Sequence, residues 1–156
     1  LRLSTKGRYA VMAMVDLARH SNGYPVPLGE IADRQEISLS YLEQLFARLR
    51  RNGLVSSVRG PGGGYLLARP AEETCIADIV MAVDGPVGTA SFGTGAMDGA
   101  QPIRTCPLTH DLWLELDNQV HSYLSSVTLA DVIERRILAT NAMVVQEETR
   151  VAMTAE

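Results

Sequence analysis

Residues 38–69 read SLSYLEQLFARLRRNGLVSSVRGPGGGYLLAR, and this one run decides the fold. Leu42, Leu45, Phe46 and Leu49 recur at helical spacing and give its first part a single apolar face. Ser38 and Ser40 are both suited to cap such a helix, and Ser40 stands at capping-box distance from Glu43. The opposite side carries Ser40, Glu43, Gln44, Arg48, Arg50 and Arg51, long or hydrogen-bonding groups that reach into a groove. Asn52 and Gly53 tolerate the left-handed conformation that ends a helix. Residues 54–58 and 65–67 then read as two strands closed by the tip RGPGGG at 59–64. A helix followed at once by a basic-tipped hairpin is the layout of a winged helix that reads DNA.

A phosphate-binding loop of an NTPase is a competing use of the glycines. It would end in Gly-Lys-Ser/Thr and join a strand to a helix, and this run does neither. An ordinary surface helix and hairpin without a ligand fits the local composition equally well. The upstream residues weigh against it. Residues 5–20 read as a largely buried helix, since Tyr9, Ala10, Met12, Ala13, Met14, Val15 and Leu17 leave little polar surface. Lys6 and Arg8 occupy its first turn, against the helix dipole, where a polyanion partner accounts for them. Ser21-Asn22-Gly23 makes a turn and Pro25-Val26-Pro27 an extended link. Residues 28–34 (LGEIADR) form a short helix, and Gln35-Glu36-Ile37 turns into the next. Two short helices joined by a tight turn, the second with an exposed polar face, make a helix-turn-helix.

The 156 residues suffice for one domain with a real core plus an extension. The net charge of −4 conceals an asymmetry: residues 1–69 sum to +5 and residues 70–156 to −9. A basic half on an acidic chain is the footprint of a nucleic-acid-binding module on a regulatory body. No apolar run reaches membrane-spanning length and no signal-peptide pattern opens the chain, so no membrane partner is expected. Two cysteines far apart are no disulfide framework, and a cytoplasmic, reducing setting is expected.

Downstream, Ile76, Ile79, Val80 and Val83 place a short helix over 75–84, with Cys75 at its start as a small buried residue. Residues 85–105, GPVGTASFGTGAMDGAQPIRT, show no periodicity and read as a functional or disordered loop. Pro107 opens a long helix with Cys106 near its N-cap. There Leu108, Leu112, Leu116, Val120 and Leu124 recur every four residues, with Trp113 and Tyr123 widening the stripe. That is more apolar surface than one small domain covers, and it reads as a dimerisation helix. Thr128 and Asp131 stand at capping-box distance at the start of a last helix, LADVIERR.

The opening LRLSTKGRYAV, the run ISLSYLEQLFARLRRNGLVSSVRGPGGGYLL and the later CPLTH resemble the Rrf family of bacterial winged-helix repressors, in its iron–sulfur-sensing branch. The resemblance spans nearly all of residues 1–136. It implies a homodimer that binds double-stranded operator DNA, controls iron–sulfur cluster biogenesis genes and senses a 2Fe–2S cluster. It further implies that Ser40, Glu43 and Gln44 face base edges. Arg59, beside Gly60, would enter the minor groove, and Lys6, Ser38, Tyr41, Arg50 and Arg51 would contact phosphates. The chemistry suits these roles: Gln pairs with adenine, Glu accepts from cytosine, and Arg favours narrow minor grooves.

The family's sensor uses three cysteines and a histidine. This chain keeps only Cys106 and His110; the first two cysteine positions fall where it has Ser91, Phe92, Ala96 and Met97. A cluster here needs atypical ligands, for which the chain offers His121, His20 and carboxylates such as Asp84 or Asp98. The expected architecture is mainly α with a small β-hairpin wing. It divides into a winged helix-turn-helix domain over 1–84, a flexible cluster-site loop over 85–105, a dimerisation helix and final short helix over 106–136, and a tail over 137–156. A winged helix that lost its cluster, or one that binds RNA or protein, is the alternative. An enzyme is the weakest reading, because no nucleophile–base pair or HExxH motif appears.

Overall fold

The computed structural model describes residues 4–85 and 107–137. Three helices form the centre: α1 (Thr5–His20), α2 (Leu28–Gln35) and α3 (Leu39–Arg51). The antiparallel strands β1 (Val55–Val58) and β2 (Gly64–Leu67) come next, paired Val55 with Leu67 through Val58 with Gly64. After a 3-10 turn at Ala71–Glu73 come α4 (Ile76–Asp84), α5 (Pro107–Ser126) and α6 (Leu129–Ile133). The expected mainly helical chain with a hairpin wing is what forms.

The apolar spacings find one core. Ala10, Ala13, Met14 and Leu17 of α1 meet Ile31 of α2 and Leu42, Phe46 and Leu49 of α3, all fully buried. Ile79 and Val83 of α4 close it from another side. Val127 and Leu129 join the same core although they lie more than 40 residues further along. Their attachment is a backbone pair at Cys75 and Thr128, with the Ile76 amide donating to the Val127 carbonyl (2.9 Å) and Leu129 to Thr74 (2.9 Å). Thr128 and Asp131 form the expected capping box, and the Thr128 backbone N–H and hydroxyl hold the Asp131 carboxyl below the usual range.

Other local signals resolve differently. Helix α3 begins at Leu39, so Ser38 is its N-cap and Ser40 lies inside the first turn; the Ser40–Glu43 box does not form. Ser38 spends its hydroxyl on Ser40 Oγ (2.9 Å) and caps no amide. Helix α2 runs one residue past the expected end, and Glu36 takes the left-handed conformation (φ 53°) that turns the chain toward α3. Ser4 caps α1 by accepting from the Gly7 amide, and its own hydroxyl donates to Asp84 at the end of α4.

One ionic cluster fixes α1 against α2. Asp16 is a lone acid in an apolar run, with its side chain 1% exposed. It accepts from Arg34 Nε (3.1 Å) and Nη2 (2.7 Å) and from Gln35 Nε2 (2.7 Å), and His20 Nδ1 stands 3.4 Å away. Burial alone would raise the carboxyl; the hydrogen bonds from Arg34 and Gln35, with the charges of Arg34 and His20, outweigh it and hold Asp16 below its ordinary value. A carboxyl lowered in the native state contributes stability that is complete above its unfolded pKa of about 3.9 and is lost as pH falls through the native value. Asp16→Asn should therefore cost about 3 kcal/mol near neutrality, at the low end for a broken buried pair because Arg34 keeps water contact. Urea unfolding at several pH values should show the gap between parent and variant full above about pH 5 and closing below about pH 4.

Candidate nucleic-acid interface

The polar side of α3 stands free of the core. Ser40, Glu43 and Gln44 are exposed, in the first two turns of the helix. Their apolar neighbours Leu42, Leu45, Phe46 and Leu49 are buried, which fixes the rotation of the helix about its axis. Tyr41 is half-buried and packs edge-on against Tyr9 of α1, ring centroids 5.8 Å apart. That contact sets the first turn of α1, with exposed Lys6 and Arg8, beside the first turn of α3.

The wing is held from two sides. Val26 exchanges both backbone hydrogen bonds with Tyr65, each 2.9 Å, and so acts as a one-residue third strand. Pro25 and Pro27 have no N–H, so Val26 is the only donor in that link. Tyr65 also packs against Phe46 of α3, ring centroids 5.0 Å apart. On the other strand, Arg50 Nη1 donates to Ser57 Oγ (3.3 Å), joining α3 to the wing. The tip needs its glycines. A Cβ on Gly63 would lie 2.4 Å from the Val58 carbonyl oxygen, and one on Gly64 2.4 Å from the Val26 backbone. A tip of glycines and one proline leaves exposed Arg59, next to Gly60, as its one charged side chain.

The cations sort into two groups. The side chains of Lys6, Arg8, Arg51 and Arg59, and of Arg19 at the far end of α1, are exposed and have no hydrogen-bond or ion-pair partner among the described residues. Arg34 is committed to Asp16 and Glu30. Arg48, expected on the groove side, instead donates to the Val83 carbonyl of α4 (2.7 Å). Apart from Arg19, the free positive charge of residues 4–69 thus lies on the first turn of α1, the end of α3 and the wing tip.

The expected metal ligands are not brought together. Cys106 lies outside the described residues, as do Ser91, Phe92, Ala96, Met97 and Asp98. His110 and His121 are exposed on α5, eleven residues apart, which separates them by roughly 16 Å along a helix. His20 has its Nδ1 2.8 Å from the Asp16 carbonyl oxygen, within the ionic cluster, and Asp84 accepts from Ser4. Among the described residues no three His, Cys, Asp or Glu side chains converge as a metal site. These residues do not by themselves fit a 2Fe–2S centre.

The stripe on α5 divides. Leu112 is 59% exposed and Leu116 36%, with Trp113, Leu114 and Tyr123 also exposed. Val120 is half-buried, and Leu124 packs in part against its own core. Leu108 is in the helix. The most shielded α5 side chain described is Asp117, at 7% exposure, so the helix turns Leu112, Leu114 and Leu116 outward and an acid inward.

Sequence reasoning missed Val26, Ser57 and the Arg48–Val83 contact as parts of this site. The two prolines around Val26 were a usable signal, since they leave one amide able to pair. Nothing local to Arg48 distinguishes it from Arg50 or Arg51.

Residues 3–135 match the Rrf2 family, described as an iron-dependent transcriptional regulator. The HTH-type transcriptional regulator IscR of Photorhabdus laumondii subsp. laumondii is 52% identical over 136 residues, 87% of this chain and 81% of that protein. Its counterpart in Yersinia pestis is 50% identical over the same coverage. The solved structure of T. potens IscR superposes with a TM-score of 0.69 at 39% identity, covering 87% of this chain and 88% of that one. CymR, the global cysteine regulator of B. subtilis, superposes with a TM-score of 0.69 at 33% identity, covering 86% and 98%. With a helix-turn-helix, a glycine-tipped wing and this extent of similarity, the chain belongs to the Rrf2 family of transcriptional regulators and is not an enzyme.

Proposed function

We propose that the protein is a cytoplasmic homodimer that binds operator DNA and represses iron-responsive genes, those of iron–sulfur cluster biogenesis foremost. The observation that carries the DNA-binding part is the alignment of three free cationic regions with the exposed Ser40, Glu43 and Gln44 of α3. In this reading α3 lies in the major groove, Arg59 enters the adjoining minor groove, and Lys6, Ser38, Tyr41, Arg50 and Arg51 hold phosphates. Arg59→Ala should lower affinity by about 1–3 kcal/mol and blunt any preference for an A·T-rich minor groove. Glu43→Ala should act otherwise. An acid beside phosphates is repelled and is favourable only opposite a cytosine amino group. Its removal should admit sequences the parent rejects, measured by selection from a randomised duplex pool; equal losses on every sequence would remove Glu43 from base reading. A shift with single-stranded RNA and none with duplex would favour the alternative, an RNA-binding winged helix.

Dimerisation is supported by the outward apolar face of α5. Two copies sharing Leu112, Leu116 and Trp113, with Leu108 and Val120 on the same four-residue spacing, would bury surface that each leaves open. Leu112→Lys removes apolar area at an exposed position, so the monomer fold should survive. Sedimentation should then show a weakened dimer with DNA affinity lowered in parallel, and a tight dimer would place the interface elsewhere.

Iron–sulfur sensing rests on the retained Cys106 and His110, on the relatives' name and on the family description. In the sequence Cys106 comes directly before a helix of twenty residues, and a cysteine thiolate is a normal iron ligand. Two further ligands, from His121, His20, carboxylates or the partner subunit, would be needed, and no step of DNA reading is derived through the cluster. Anaerobic reconstitution with iron and sulfide should give charge-transfer absorption in the parent and none in Cys106→Ala. A colourless parent would leave a winged-helix regulator without its cluster.

A further inference from the structure

The last turn of α4 is tied to the reading helix at two consecutive carbonyls. Arg48 Nη1 donates to Val83 (2.7 Å), and Asn52 Nδ2, which also donates to the Arg48 carbonyl (2.9 Å), reaches Ala82 at 3.5 Å. The next residue, Asp84, accepts from Ser4, the N-cap of α1. These are the carbonyls a helix leaves without partners inside itself, and a cation there is favoured by the helix dipole. Val83 is 1% exposed and anchored in the core, so the carbonyl that Arg48 grips is a fixed point.

Ser40, Gln44, Arg48 and Asn52 succeed one another at four-residue spacing, so they form a single row along α3. The near end of the row is exposed and the far end is bonded to α4. Resting on the proposed DNA binding, we infer that Arg48 is a positioning residue for base recognition: it latches α3 to the end of α4 and so sets how Gln44 and Glu43 meet the groove. Arg48 is not one of the phosphate contacts. Its neighbours Arg50 and Arg51 are free of α4; Arg50 reaches the wing, and Arg51 has no side-chain partner among the described residues.

The test compares the parent, Arg48→Met and Arg48→Lys as full chains. Met keeps the apolar stem and loses the donors, while Lys retains a charged donor for the carbonyl. Each is titrated with the duplex the parent selects from a randomised pool and with poly(dI-dC), at several salt concentrations, alongside thermal melting. Arg48→Met should lose roughly tenfold in affinity for the selected duplex, about what one well-read base pair contributes, and little for poly(dI-dC). The slope of log K against log salt should stay at the parent value, and Arg48→Lys should recover most of the discrimination. A slope smaller by about 0.9, with equal losses on both DNAs, would make Arg48 a phosphate contact and overturn the inference. So would a lower melting temperature with unchanged discrimination, which is a structural role alone. If the parent selects no duplex, the DNA-binding reading falls, and this inference with it; if the parent selects one and Arg48→Met discriminates equally well, only the inference falls.

Discussion

Two backbone hydrogen bonds between Val26 and Tyr65 turn a loose hairpin into a wing. A two-stranded hairpin is marginal by itself, and β1 and β2 are only four residues each. Pairing with Val26 adds a third strand at the cost of ordering one residue between two prolines that are already stiff. The close approach of Gly64 to the Val26 backbone results from the same pairing, as does the seat of Tyr65 against Phe46. Through that aromatic contact the hairpin takes its direction from α3, so the wing tip and the reading helix are set by one core.

The helix-turn-helix and the hairpin were legible in the sequence because their signals are local and mutually consistent, whereas the Val26–Tyr65 pairing was not. The buried positions of α3 were given by the spacing of Leu42, Leu45, Phe46 and Leu49, and the hairpin tip by its glycines. Thr128 and Asp131 formed their capping box as read. Ser38 and Ser40 show where such reading stops. Both carry the right side chain, and the choice between them is made by where the buried Ile37 and Leu42 let the helix begin. Arg48 is the clearer case: its environment is supplied by α4, 35 residues away, and helical spacing alone put it with the groove-facing cations. Long-range partners such as these, like Arg34 for Asp16, are decided by packing and leave no local mark.

Electrostatics divides along the same lines. Two acids among residues 4–69 are paired with Arg34, Asp16 in the core and Glu30 on the surface. Among the described residues, the cations of the first turn of α1, the end of α3 and the wing have no acidic partner. By sequence, residues 1–69 sum to +5 and residues 70–156 to −9. A chain with so uneven a charge distribution tends to orient an approaching polyanion before close contact.

The pairing of Cys75 with Thr128 has a bearing on how the chain acquires its fold. Val83 near the end of α4 and Val127 and Leu129 after α5 lie in one core. Helix α6 packs against α1, more than 100 residues earlier in the sequence. Closing so long a span is entropically costly and kinetically slow compared with forming the local helix-turn-helix contacts. On the ribosome, the reading helix and wing emerge well before the segment that seals their core. A nascent chain thus passes through a stage in which α3 and the wing stand on an open core, with the Thr74–Ile76 edge unpaired until residues 127–129 arrive.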